Sequence, residues 1–170
     1  MNTLKKWLAK FDAILYEIVY GDKVQSPMPS TPTPPSPAPN PDTLLPWNMA
    51  NVDGDPNNHH NVRVLCDLEG LTYDLKEILT ACVRVESNFN TQATHYNYAY
   101  TDAGVRYLAS TDHGICQWND WYHGKEITPE QATDDPEMAI RLMCQYFKNG
   151  QESQWVSFSS GAYKQFIGKV

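Results

Sequence analysis

Glu86 and Asp112 are the residues of this chain best placed to do chemistry. Glu86 opens the polar stretch "ESNFNTQAT", yet it follows Leu75, Leu79 and Cys82 at spacings of four, three and four. It therefore ends the apolar face of a helix. Two influences keep a proton on such a carboxyl: burial disfavours the anion, and the partial negative charge of a helix C-terminus disfavours it again. A carboxyl still protonated near neutral pH is what a general acid requires. Taken alone, Glu86 reads more simply as a side chain escaping into solvent where its helix ends. The second stretch, "STDHGICQWNDWYHG" (110–124), changes that balance. Asp112 stands beside Ser110, Thr111 and Gly114, a polar setting in which a carboxylate stays ionised, and His113 next to it could tune it. Trp118, Trp121 and Tyr122 alternate with Gln117, Asn119, Asp120 and His123. Aromatic faces stack on the C–H faces of sugar rings, while amides and carboxylates bond their hydroxyls. One protonated and one ionised carboxyl in contrasting environments is the requirement for cleaving a glycosidic bond. The plainer reading of the second stretch is a hairpin whose aromatics simply pack.

The elements that must position these residues lie in the last two thirds of the chain. The spacing predicts a helix from Asp74 to about Ser87, with Asp74 and Glu77 in capping-box register. A second helix is predicted from Asp134 to Lys148, with Asp134 as N-cap, Pro136 in the first turn and a stop at Asn149-Gly150. Gln154–Phe158 and Ala162–Ile167 read as two short helices. Residues 90–117 lack a helical period and carry Tyr-Asn-Tyr clusters, which suits a hairpin or irregular loops. The fold class expected is α+β, mainly helical with a small β-hairpin lobe.

Two further regions precede this domain. In residues 1–22, Leu4, Phe11 and Ile18 recur every seven residues, with Trp7 and Ile14 between them and Leu8 and Leu15 widening the stripe. Such an amphipathic helix could dock on itself or another protein, lie on a membrane surface or pack on the domain; the heptad spacing favours docking. Asp12 and Glu17 weaken the membrane reading, and the broken apolar run does not suit a signal peptide. Residues 23–46 form a Pro-rich spacer holding nine of the chain's twelve Pro. As a polyproline-type segment, residues 27–41 would span on the order of 45 Å. A ligand for a proline-binding module is the sharper reading and a tether the simpler one.

Residues 47–170 carry nine Lys and Arg against sixteen Asp and Glu, a net charge of −7. That argues against sequence-independent nucleic-acid binding, which needs a basic surface. No apolar run is long enough for a transmembrane helix. Cys66, Cys82, Cys116 and Cys144 have no CxxC spacing, so no zinc site is expected. They read as buried thiols rather than a disulfide framework. "DGDPNNHH" (53–60) lacks the spacing and closing Glu of a calcium loop and reads as a turn-rich entry to the domain. No metal or cofactor is implied.

With these residues in view, a family resemblance is apparent. "ESNFNTQAT" resembles the stretch around the catalytic acid of the animal C-type lysozymes. "STDHGICQWN" resembles that family's second-carboxylate hairpin, differing at His113, Cys116 and Trp118. "WVSF" (155–158) resembles the family's Trp-Val-Ala-Trp, and "GAYKQFI" resembles the helix after it. These matches fall in order along residues 82–167. The resemblance implies that Glu86 is the general acid and then the base, that Asp112 is nucleophile or electrostatic stabiliser, and that Trp155 packs against the acid. It implies a sugar groove lined by Ser87, Gln117 and Asn119, with Trp121 and Tyr122 near the groove's aromatic pair, shifted by about a residue. The family's eight-Cys framework is absent, the loop between the carboxylates is longer through residues 95–109, and nothing before residue 70 has a counterpart. The chain is thus more similar to bacteriophage or bacterial members of the wider lysozyme-like superfamily. That superfamily includes lytic transglycosylases, which carry Glu-Ser and a Gly-x-x-Gln-x-Asn-like stretch but use one Glu. Asp112 favours hydrolysis, and "FSSG" (158–161) stands where many transglycosylases have Tyr-Asn-Ala-Gly.

The expectation is therefore a muramidase that cleaves the β-1,4 bond between N-acetylmuramic acid and N-acetylglucosamine in peptidoglycan glycan strands. The setting implied is the cell wall or periplasm, reached in a phage virion or as an endolysin. An acidic domain is not drawn to an anionic wall by charge, whereas a docking helix and tether would raise its local concentration there. The alternatives are a lytic transglycosylase that leaves 1,6-anhydro ends, and a non-catalytic glycan-binding or structural protein.

Overall fold

Asp55 followed by Pro56 starts the first helix. The Asp55 carboxylate accepts from the Asn57 and Asn58 amides, and Pro56 fits the first turn because its missing N–H would have no partner there. A computed structural model describes residues 43–169 of the chain. The expected helix over 1–22 and nearly all of the expected spacer lie outside these residues. At the spacer's end, Leu44 and Trp47 pack against the core, and Leu45 exchanges hydrogen bonds with the Asn61 amide.

The described residues form six α-helices, two 3₁₀ turns and one three-stranded antiparallel sheet. In chain order these are α1 (Pro56–Leu68), α2 (Tyr73–Ser87), β1 (Thr94–Tyr100), β2 (Arg106–His113), β3 (Trp118–Asn119), α3 (Asp120–His123), α4 (Pro129–Asp134), α5 (Pro136–Lys148), a 3₁₀ turn (Glu152–Gln154), α6 (Val156–Ser159) and a second 3₁₀ turn (Ala162–Phe166). The layout is α+β, as expected. Among these residues no helix is long and apolar enough to cross a membrane.

The core is built where helix stripes converge. α5 buries Ala139, Ile140, Met143, Cys144 and Phe147, a helical spacing of one, three, one and three. Facing stripes come from Val62, Leu65 and Cys66 of α1 and from Leu79, Cys82 and Val83 of α2. Trp118, 2 % exposed, sits in the same cluster and donates its indole N–H to the Ala139 carbonyl at 3.3 Å. All four Cys are buried free thiols. Burial pushes the Cys82 thiol up to about 12, so it stays neutral and behaves as a small apolar side chain.

Four local expectations are corrected. The N-cap of α2 is Thr72, whose hydroxyl accepts from the Leu75 amide; Asp74 lies inside the first turn, and Glu77 pairs with Arg63 at 2.5 Å instead of closing a capping box. The N-cap of α5 is Asp135, because Asp134 already ends α4. The helix expected over Gln154–Phe158 is divided at Trp155, which is extended between a 3₁₀ turn and α6. The segment expected as a helix over Ala162–Ile167 is 3₁₀.

β1 and β2 make the hairpin, with His95 opposite Asp112 and Asn97 opposite Ser110. A bulge after Asn97 leaves Ala109 without an opposite residue and changes the local twist. β3 pairs only with Asp112 and His113. The turn from β2 to β3 depends on Gly114. Its φ is +70°, and a Cβ there would lie 1.9 Å from the Ala132 carbonyl oxygen of α4. Gly114→Ala is therefore expected to destabilise the domain by more than about 3 kcal/mol, combining left-handed strain with a backbone clash. Equilibrium denaturation checks this, and a loss under about 1 kcal/mol would contradict it.

Candidate active site

Glu86 is held at the end of α2 by an abrupt turn. Asn88 and Phe89 both take left-handed backbone conformations, φ 50° and 63°. Asn tolerates this; Phe89 does so at some strain, offset by burial of its ring beside His59, 4.7 Å between centroids. The Asn58 amide, buried in α1, donates to the Phe89 carbonyl and fixes the turn. The helix cannot continue, so Glu86 stays in its last turn on the face of Leu79 and Cys82. There Glu86 is half-buried, and the Ser157 backbone N–H at the start of α6 donates to its Oε1 at 3.0 Å. Burial raises the Glu86 carboxyl from near 4.5 to about 7; Ser157 opposes the rise and the nearby Asp112 charge adds to it. The two carboxyls therefore sense each other across the site.

Asp112, on β2, is held by two amides. Asn97 of β1 donates to one carboxylate oxygen at 2.9 Å, and Asn119 of β3 to the other at 2.6 Å. The Asn119 amide has one workable orientation. Its oxygen accepts from the Trp121 and Tyr122 backbone N–H groups, capping α3, so its NH₂ faces Asp112 and Ser110. Burial raises the Asp112 carboxyl above its ordinary value, and the Asn97 and Asn119 bonds oppose this. The neighbourhood is thus less solvated than the sequence suggested, and two donors rather than water favour the anion.

Ser87 and Gln117 act on the frame. Ser87 is buried and donates its hydroxyl to the Ile115 carbonyl at 2.6 Å, tying the end of α2 to the β2–β3 turn. Gln117, at φ 53°, donates its amide to the Ala93 and Gly114 carbonyls. These bonds join the segment carrying Glu86 to the segment carrying Asp112. Trp155 is buried, donates its indole N–H to the Cys116 carbonyl at 2.8 Å, and packs edge-on to Trp118 with centroids 5.1 Å apart. Two residues after Trp155 the chain presents the Ser157 N–H to Glu86, so anchoring the indole positions that donor. Trp121 and Tyr122 are exposed, 77 % and 68 %, on α3.

Glu86, Asp112 and Asn119 are thus brought into one site, with Ser87, Gln117 and Trp155 behind it and Trp121 and Tyr122 at its margin. Sequence reasoning missed Asn97 and Ser157. The alternation in "HYNYAY" places Asn97 on the His95 face of β1, a signal that needs the β1–β2 register to become useful. Ser157 acts through its backbone N–H and leaves no signal in residue type. Among the described residues no cluster of His, Cys, Asp and Glu is arranged to hold a metal ion. Scans against protein-family models, curated proteins and solved structures found no match to this chain.

Proposed function

We propose that this domain is a lysozyme-like muramidase acting on the β-1,4 bond between N-acetylmuramic acid and N-acetylglucosamine. The observation that carries the reading is a pair of carboxyls held differently: Glu86 ends a helix and accepts from one backbone N–H, Asp112 accepts from two side-chain amides, and burial raises both, Glu86 to about 7. The ordered resemblance of residues 82–167 to the C-type lysozymes supports it, as does an α+β layout with the acid on a helix and the second carboxylate on a hairpin.

In the proposed reaction the Glu86 carboxyl protonates the leaving glycosidic oxygen. The Asp112 carboxylate faces the developing oxocarbenium ion and stabilises or traps it. Glu86, now an anion, takes a proton from the incoming water and so returns to its starting form. The Ser157 N–H steadies that anion while it exists. Exposed Trp121 and Tyr122 offer ring faces to the glycan. The setting proposed is the bacterial cell wall, reached as part of a phage virion or as an endolysin, with the N-terminal region as the docking element.

The test is digestion of purified peptidoglycan. Release of soluble glycans carrying reducing ends is expected. Fragments with 1,6-anhydro ends would mean that a sugar hydroxyl, not water, finishes the reaction, as in the lytic transglycosylases. Binding without release would mean a glycan-binding or structural role.

A further inference from the structure

The edge of the sheet next to Asp112 is open. β3 covers only Asp112 and His113, so residues 106–111 of β2 have no strand on that side among the described residues. The Thr111 backbone N–H is turned to this edge, where the Asp120 carboxylate accepts it at 2.9 Å. A groove of about 370 Å³ runs along it, lined by Leu108, Ala109, Ser110, Thr111, Asp120 and Trp121. It offers strand backbone, an exposed indole face and a partly exposed carboxylate. That combination suits an extended peptide bearing an amine: the peptide backbone adds to the edge before Thr111, whose N–H Asp120 already holds, the indole covers the chain, and the second Asp120 oxygen, 3.8 Å from His113 Nε2, pairs with the cation.

We propose that this groove holds the stem peptide of peptidoglycan, with the free amine of its diamino residue directed to Asp120. The proposal rests on the muramidase reading and deepens it to substrate class. Continuity decides the occupant. The stem peptide is attached to the muramic acid, and the groove begins one residue from Asp112 on the same strand. At about 3.4 Å per residue, Thr111 to Leu108 covers roughly 10 Å, and a stretched peptide of three or four residues spans about that distance. A muramic acid seated at Asp112 would therefore lead its peptide along the edge. The enzyme would prefer peptide-bearing glycans to bare ones, and Asp120 would set that preference.

The experiment compares kcat/KM of the full chain on peptide-bearing glycan strands and on strands of matched length stripped of peptides by an amidase. Wild type is expected to favour the peptide-bearing strands about tenfold, the size of effect one good charge-assisted contact gives. Asp120→Asn keeps an acceptor for the Thr111 N–H and removes the charge, and the preference should fall to about twofold or less. Acetylating the stem amine should lower the wild-type preference to the same extent without touching the protein. Any effect of Asp120 on Asp112 is common to both substrates and cancels in the ratio. Equal wild-type rates on both strands, or a preference that survives both Asp120→Asn and acetylation, overturn the proposal while leaving the muramidase reading intact. Cleavage of neither strand overturns the muramidase reading instead. Calorimetric titration of a synthetic lysine-containing stem peptide then decides the groove, and no binding overturns that as well.

Discussion

Glu86→Gln is expected to lower glycan release by about 10³-fold or more and, at pH 8, to make the domain more stable. The first effect follows from removing the proton donor proposed for the leaving oxygen; general acid catalysis of this kind is worth about 10²–10⁴-fold, and in the proposed reaction the same residue later serves as base. The second follows from linkage. Burial raises the Glu86 carboxyl from near 4.5 to about 7, so between those pH values the folded state holds a proton that the unfolded state has lost. Stability therefore falls as pH rises through this window, and above it the full penalty of the buried anion is present. At about 1.4 kcal/mol per pH unit the gap corresponds to at most about 3.5 kcal/mol, and partial solvent access reduces that to about 2 kcal/mol. Gln is nearly isosteric and still accepts from the Ser157 N–H. Thermal unfolding should show a higher Tm for Glu86→Gln at pH 8 and little difference at pH 4. A variant that retains activity, or that is less stable at pH 8, would contradict this account of Glu86.

Asp112→Asn carries the second large effect, a loss of about 10²–10³-fold in hydrolysis. The anion proposed to face the oxocarbenium ion disappears. The Asn119 NH₂ is fixed by the α3 cap, so the new amide must turn its oxygen to Asn119 and its NH₂ to Asn97, whose own amide must flip to accept it. The pH profile adds a check. Activity needs Asp112 ionised and Glu86 protonated, so kcat/KM should be bell-shaped. Its basic limb should lie near 7 and its acid limb above the ordinary Asp range, since both carboxyls are raised. Asp112→Asn should remove the acid limb and move the basic one somewhat lower, because the Asp112 charge helps to raise Glu86. A loss of only a few fold would point to a one-carboxylate, transglycosylase-type reaction.

Where the sequence was informative, a single physical signal dominated. The stripe Leu75, Leu79, Cys82 placed Glu86 on the buried side of α2 because apolar spacing and helix geometry agree. Pro136 and Asn149-Gly150 bracketed α5 because each has a local reason to start or stop a helix. The non-helical pattern of residues 90–117 indicated the hairpin. α1 was hidden because its buried face includes Asn58 and Asn61, polar residues that break the apolar period. Their amides are satisfied by the backbone of Leu45, Asn48 and Phe89, partners distant in sequence. The Asp55-Pro56 start was the available signal, lost in a stretch that otherwise reads as turns. Within the site, residue type singled out the two carboxyls, whereas Asn119, expected to line a sugar groove, spends its amide on Asp112, Ser110 and the α3 cap. Residue type did not separate Ser87 and Gln117, whose side chains bond the frame, from groups that would face a sugar. That distinction depends on which carbonyls, of Ile115, Ala93 and Gly114, the fold brings within reach.

In the proposed function Glu86 and Asp112 together hydrolyse the muramic acid–glucosamine bond. Mass spectrometry of the soluble fragments released from purified peptidoglycan tests it most directly, with wild type and Glu86→Gln run side by side. Fragments ending in reducing N-acetylmuramic acid are expected from wild type and none from Glu86→Gln. Fragments released equally by both, anhydro ends in place of reducing ends, or no fragments from wild type would contradict it.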